Sequence, residues 1–287
     1  MFNAAPLNTM PPGRYGNDWS RGETILALYL YCQIPFSKTK ASNPEVIKLA
    51  ALLGRTPASV ARKLGNFGAF DPVLAKQGIS GLTHTGKTAR LIWEEFNNRW
   101  EALVEQSGLL LASLAQGVAP LDSPQTTAGP SDETIIAPPV GPSERIASVS
   151  VRLFQSFFRR AVLSSYDSAC SICGLDIRTL LTASHIKPWS VDESVRTDLQ
   201  NGLCLCAIHD RAFDRGLLAV SDELRVVVAE GILSSKQHFV QTALVNFHSN
   251  PLRMPKRFAP RQELLTWHRK NIFERNLKYE SGTLSEF

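Results

Sequence analysis

The stretch NGLCLCAIHDRAFDRG (201–216) brings an Asn, two Cys, a His and two Asp into one short segment. Upstream lies CSIC (170–173). Together, Cys170, Cys173, Cys206 and His209 read C-x-x-C…C-x-x-H. Each pair is short enough to chelate one ion, and thiolates with an imidazole suit zinc. Four such ligands close a tetrahedron and leave no position for water, so the site would be structural. The alternative leaves Cys206 as a buried strand residue and gives His209 another task. Asp210 and Asp214 are four residues apart and would share one face of a helix. Two carboxylates there repel unless a cation sits between them or one turns away. Oxygen ligands of this kind suit Mg²⁺ or Mn²⁺. His185 lies in the run TLLTASHIKPW at the end of the strand expected there, and an imidazole with a pKa near ~6.5 can act as a general base at neutral pH. A base for water beside a hard cation is the layout of a hydrolytic site acting on phosphate. Taken singly, each residue has a plainer reading: Asp214, for example, could cap the helix or pair with Arg211 or Arg215.

These side chains need a small mixed frame to hold them. A helix over 148–163 would turn Phe154, Phe157, Phe158 and Ala161 inward, with Arg159 and Arg160 beside them. TLLTASHIKPW reads as a short β-rich run, 201–205 as a strand, and 206–215 as a short helix stopped by Gly216. LLAVSDELRVVVA reads as a hairpin over an Asp-Glu turn. PRQELLTWHRKNIFERN reads as a helix with Leu264, Leu265, His268 and Phe273 near one side. In that helix His268 is a packing residue before it is a phosphate contact.

The chain has 287 residues, 44% hydrophobic and 20% charged, as in soluble globular proteins. No apolar run reaches the ~18 residues of a membrane span, and the N-terminus lacks the layout of a signal peptide. The expected location is cytoplasmic, where the five cysteines stay reduced and favour metal over disulfides. Net charge is +5 and the sequence pI about 9.0, a hint of a polyanionic partner. The excess of basic residues lies on both sides of a segment rich in Pro and free of Lys and Arg. That segment divides the chain into an all-helical N-terminal domain (14–108), a flexible Pro-rich linker (109–144) and an α+β C-terminal domain (145–287).

In the first domain, Ser20 and Glu23 form a capping box ahead of an apolar helix. Asn43-Pro44-Glu45 opens a second helix, Gly54 stops it, and Thr56-Pro57 opens a third. Two short helices across a tight turn make a helix-turn-helix candidate. On the latter helix Ser59, Arg62, Lys63 and Asn66 share a face at helical spacing and suit contacts to phosphates and base edges in double-stranded DNA. Any amphipathic helix has such a polar face, so ordinary solvated surface is the competing explanation. Trp19, Tyr29 and Tyr31 fall at core spacing before they suggest a cage for a modified base. A protein or nucleotide signal is a further possible ligand of this domain.

The ordered set ASHIKPWS…NGLCLCAIHDRAFDRG resembles the HNH, or ββα-metal, endonuclease motif. It is most similar to the branch found in bacterial restriction-type endonucleases. The resemblance covers about 145–275, and its specific core is 183–218. It implies a C-terminal ββα-metal nuclease domain that hydrolyses DNA phosphodiester bonds. By that resemblance His185 activates water, Asn201 braces the loop between hairpin strand and helix, Asp210 ligates the divalent ion, and Asp214 offers a further ligand. Zinc-bearing members place a second ligand pair five and eight residues past the Asn, at Cys206 and His209 here. This assigns Zn²⁺ a structural role and Mg²⁺ (or Mn²⁺) a catalytic one. Arg211 and Arg215, on the same short helix, would hold neighbouring phosphates. Two departures stand out: Ser184 occupies a position where many members carry Asp, and Asp210 replaces the third His. They keep two alternatives open, His209 on the catalytic ion or a zinc-stabilised DNA-binding regulator with a degenerate nuclease site. A reader domain joined to an HNH domain further resembles restriction systems that defend against foreign or modified DNA. Cutting both strands with one site per chain would favour a homodimer.

Overall fold

The computed structural model describes residues 18–76, 78, 86–115 and 142–275, with side chains from Arg152 onward in the helix that starts at Pro142. Helix boundaries follow the sequence closely. Helix α1 (Arg21–Gln33) opens on a reciprocal cap. The Glu23 N–H donates to Ser20 Oγ (3.2 Å), and the Ser20 N–H donates to Glu23 Oε2 (2.8 Å). Helix α2 (Pro44–Leu53) starts with the Asn43 side chain accepting from the Glu45 N–H and stops at Gly54. Gly54 takes a left-handed φ of 63° that few other residues adopt without cost. Thr56 then caps α3 (Pro57–Gly68) through the Ser59 N–H. Helices α4 (Pro72–Lys76), α5 (Lys87–Phe96) and α6 (Trp100–Ala115) follow. Tyr31, Phe67 and Trp93 pack ring against ring in the core of this region.

The turn between α2 and α3 is fixed to α1 by a buried ion pair. Arg55 donates from Nε and Nη2 to the two oxygens of Glu23, both at 2.8 Å, and its guanidinium covers Trp19 at 4.6 Å. A buried charge pair is tolerated when its donors and acceptors are matched, as in this two-bond fork.

The Pro-rich linker expected over 109–144 is shorter at both ends. The Leu-rich stretch past Gly108 holds no Pro and continues α6 to Ala115. Pro142, well suited to a first turn, opens helix α7 (Pro142–Ser165). The remainder, 116–141, lies outside the described residues, as do 14–17. The chain divides into two compact units with the boundary at Ala147–Ser148; Gln33–Pro35 and Asn98–Glu101 group with the second.

The second unit is α+β. Helix α7 buries Phe154, Phe157, Phe158 and Ala161. Strand β1 (Leu181–His185) pairs antiparallel with β2 (Gly202–Cys206), with Leu181 opposite Cys206 and His185 opposite Gly202. Helix α8 (Ala207–Asp214) follows β2 directly and packs on both strands. It ends at Gly216, φ 66°, whose N–H bonds the Phe213 carbonyl. Strands β3 (Leu218–Val220) and β4 (Val226–Val228) form the expected hairpin. Helices α9 (Glu230–Leu233), α10 (His238–Ala243) and α11 (Gln262–His268) complete the unit. Helix α11 continues as a π-turn over Arg269–Phe273. His268 is buried: its Nε2–H donates to the Phe213 carbonyl (3.0 Å) and its ring stacks on Phe213 at 3.6 Å. Burial pushes its pKa down to about 4, so this imidazole is neutral packing at the end of α8.

Candidate metal centre and active site

The Cys170, Cys173, Cys206 and His209 group is assembled by three separate pieces of chain. The turn after α7 carries Cys170 and Cys173, closed by the Cys170 N–H on the Leu175 carbonyl (2.8 Å) and the Gly174 N–H on the Cys170 carbonyl (2.9 Å). Gly174 sits at φ 76°, a left-handed position that the turn requires. The end of β2 supplies Cys206, and the first turn of α8 supplies His209. Their Sγ and Nδ1 atoms all lie within 4.8 Å of one another. Cys170 Sγ is 3.6 Å and Cys206 Sγ 3.1 Å from His209 Nδ1, and Cys173 and Cys206 Sγ are 3.9 Å apart. Zn–S bonds of about 2.3 Å imply tetrahedral edges of roughly 3.7 Å, so the donor set fits zinc in type and in size. His209 Nε2 donates to the Ala243 carbonyl (2.9 Å), which leaves Nδ1 as the ligating atom. Hydrogen bonds from Cys206, His209 and two backbone N–H groups outweigh burial and hold the Cys170 thiol well below its usual range, as a thiolate ligand needs. Cys204 is buried and not part of this group; burial, and then the charge of Cys170, raise its pKa to about 12.

Across the same strands the polar groups are different. His185 ends β1 and stacks on Phe158 at 4.0 Å, with the rings 4° from parallel. Its Nε2 lies 2.9 Å from the Arg196 carbonyl. A carbonyl only accepts, so Nε2 carries the hydrogen and the neutral ring keeps its lone pair on Nδ1. Burial lowers the His185 pKa against the opposing pull of that carbonyl, which favours the neutral form. Gly202, opposite His185, is what lets α7 come this close. A Cβ there would stand 2.3 Å from Val162 Cγ2 and 3.1 Å from the Phe158 ring.

Asn201 is fully buried and ties down the long β1–β2 connection. Its Nδ2 donates to the carbonyls of Lys187 (2.9 Å) and Val195 (3.1 Å), while Oδ1 accepts from the Lys187 N–H (2.9 Å). The connection is also pinned by the Asp198–Arg261 ion pair and by Gln200 donating to the Ala259 carbonyl. Arg196, whose carbonyl orients His185, rides on this braced segment.

Asp210 is half-buried and Asp214 exposed on α8. Burial raises both carboxyl pKa values, and Asp210 raises that of Asp214 further. Arg211 opposes the rise at both, and Ser184 opposes it at Asp210. The Ser184 hydroxyl is buried and, among the described residues, completes no hydrogen bond of ordinary geometry. Asp210 and Asp214 are carboxylates of the kind that a hard cation could use, its other positions open to water and phosphate oxygens. His185, Asp210 and Asp214 do not gather as the sulfur ligands do. Among the described residues the Cys170, Cys173, Cys206 and His209 group is the one that is close enough to hold an ion unaided.

Arg211 and Arg215 are exposed on α8. On α3, by contrast, only one of the four expected DNA contacts is exposed. Arg62 faces solvent, Ser59 is half-buried, and Lys63 and Asn66 are each 8% exposed. Lys63 places its ammonium 4.8 Å over Trp19, and burial lowers its pKa. Trp19 covers the Lys63 ammonium, and Asn66 is buried as well, so both leave the surface that α3 presents.

The helical periodicity of α7 marks Phe158 as inward without showing that it backs His185. The Arg196 carbonyl is a support that no side-chain pattern signals. Gly202 stands inside the NGLCL run, where its role emerges only when α7 is in place. Residues 170–221 match the family model of the HNH endonucleases, a range that holds the sulfur cluster as well as His185, Asn201, Asp210 and Asp214. A comparison with curated proteins gives no match.

Proposed function

We propose that this chain, whose residues 170–221 carry an HNH endonuclease domain, is a metal-dependent endonuclease that hydrolyses phosphodiester bonds in double-stranded DNA. The observation that carries the reading is His185: a neutral ring with Nε2–H fixed on the Arg196 carbonyl and Nδ1 left as a proton acceptor. It stands on the strand against which α8 carries Asp210. His185 Nδ1 takes the proton from the attacking water as that water approaches phosphorus. Phe158 and Asn201 hold the base still, Phe158 by stacking on its ring and Asn201 by bracing the segment that ends in the Arg196 carbonyl. Asp210 and Asp214 hold a divalent cation, Mg²⁺ or Mn²⁺, with Ser184 as a neutral oxygen beside them. A bound hard cation supplies positive charge to the scissile phosphate and the leaving 3′ oxygen. Arg211 and Arg215 extend from α8 to hold neighbouring phosphates. Zn²⁺ on Cys170, Cys173, Cys206 and His209 fixes the start of α8, and so the position of Asp210.

In this reading the helical N-terminal region, with Arg62 on the exposed side of α3, selects the DNA, and the HNH unit cuts it, as a restriction or defence nuclease in the cytoplasm. Among the described residues no helix is long and apolar enough to cross a membrane. Cutting both strands would call for two copies of the chain. Plasmid nicking with Mg²⁺ by wild type and His185→Ala tests the activity: Mg²⁺-dependent nicking lost in the variant is expected. Equal residual nicking in both would favour the second reading, a zinc-stabilised DNA-binding regulator. That reading draws on the Ser184 hydroxyl at a charged position of the motif and on the ungathered His185–Asp210–Asp214 set. Plasmid from methylating and non-methylating hosts, compared in the same assay, tests the defence role.

A further inference from the structure

His185 also lines a recess. It encloses about 170 Å³ and is lined by Phe154, Gln155, Phe158, His185, Trp189 and Arg196. Its walls are mostly flat rings. Phe154 and Phe158 are buried, while Trp189 is 44% exposed on the β1–β2 connection. The Arg196 guanidinium lies 5.7 Å over the Phe154 ring and pairs through Nη2 with Glu101 (3.1 Å), while its Nε–H is buried with no acceptor among the described residues. A buried donor left unmatched is costly, so it marks a place where a ligand acceptor would be favoured. Aromatic faces with a planar cation in reach are the chemistry that holds a nucleobase by stacking and one edge hydrogen bond. The size agrees, because a cavity of about 150 Å³ accepts a single aromatic ring.

We propose that this recess receives one unstacked, pyrimidine-sized base of the substrate strand. Trp189 and Phe154 would offer stacking faces, and the Arg196 Nε–H would bond an exocyclic carbonyl of the base. The inference rests on the reading that the His185 face meets nucleic acid. Its consequence is a preference for strands whose bases can leave the stack: single-stranded, mismatched or easily distorted DNA.

The test is binding to the zinc-loaded full chain without Mg²⁺, so that no hydrolysis is needed. A short thymidine oligonucleotide and an abasic oligonucleotide of equal length and charge are titrated against wild type, Trp189→Phe and Trp189→Ala, with circular dichroism to check that each folds. Base stacking of about 1–3 kcal/mol corresponds to a loss of roughly five- to hundred-fold for Trp189→Ala on the thymidine strand. Recovery in Trp189→Phe and no change on the abasic strand are also expected. Equal losses on both strands, or no loss on either, would overturn the recess as a base site. The nuclease reading fails separately, in the Mg²⁺ nicking assay: nicking that depends on His185 but is indifferent to Trp189 sinks this inference alone.

Discussion

Two faces of one small ββα frame are built on opposite logic. The sulfur face gathers its four donors until they are spaced like the edges of a tetrahedron. The oxygen and nitrogen groups stay apart: His185 stacks on Phe158, and Asp210 interacts with Ser184, the neighbouring strand residue. Adjacent residues of α8 serve the two faces: His209 turns to the thiols, and Asp210, about 100° further round the helix, turns toward Ser184. A structural ion needs all its ligands from the protein, so the fold must complete the site. A catalytic ion must leave room for water and phosphate, so the protein should supply few ligands and hold them firmly. In this domain the firmness comes from the Phe158 stack, the Arg196 carbonyl and the Asn201 clamp rather than from the ligands themselves.

The comparison can be broken most forcefully at the sulfur face. Cys173→Ala, or zinc removal by a chelator, should abolish the cooperative thermal transition of the C-terminal unit, because structural zinc contributes on the order of 10 kcal/mol. Asp214→Ala should move the transition little, since exposed substitutions fall within about 0.5 kcal/mol. Comparable destabilisation by the two would erase the distinction. Next in size, His185→Ala should lower Mg²⁺-dependent nicking by about 10²–10⁴-fold, the usual contribution of a general base, while the melting temperature stays near wild type. Asn201→Ala should do both kinds of damage. It strands buried backbone groups at a cost of roughly 1–3 kcal/mol and frees the segment that orients His185, which calorimetry and nicking rates would report together.

Smaller effects sharpen the same contrast. In the proposed mechanism, nicking needs His185 neutral and Asp210 ionised. Burial lowers the first pKa from 6.5 and raises the second from 3.8. The acid limb of the rate profile should therefore fall between those values, with a flat rate from pH 6.5 to 8. A limb centred above 6.5 would mean that His185 is not held as described. Smallest, Arg211→Ala and Arg62→Ala should each reduce the salt slope of DNA binding by about one, whereas Lys63→Ala should leave the slope unchanged because its ammonium is spent on Trp19.

The two faces were also unequally legible in the sequence. Ligand pairs at C-x-x-C and C-x-x-H spacing are local, so the knuckle could be assigned before any fold was known. The helix caps at Ser20, Asn43 and Thr56, and the glycine stops at 54 and 216, are local in the same way. What supports the oxygen face is not. Phe158 reaches His185 from another helix, Arg196 reaches it through a backbone carbonyl, and Gly202 matters only because Val162 crowds it. The same limit accounts for α3, where helical spacing makes Lys63 solvent-facing and a tryptophan from before α1 covers it.

The central claim is the division of labour between residues 209 and 210. Zinc stoichiometry and Mg²⁺-dependent nicking, measured on the same preparations of His209→Cys and Asp210→Ala, test it most directly. The account predicts one zinc per chain in both, with nicking retained in His209→Cys and lost in Asp210→Ala. Zinc lost from Asp210→Ala, or nicking lost from a zinc-loaded His209→Cys, would contradict it by placing the histidine at the hard cation.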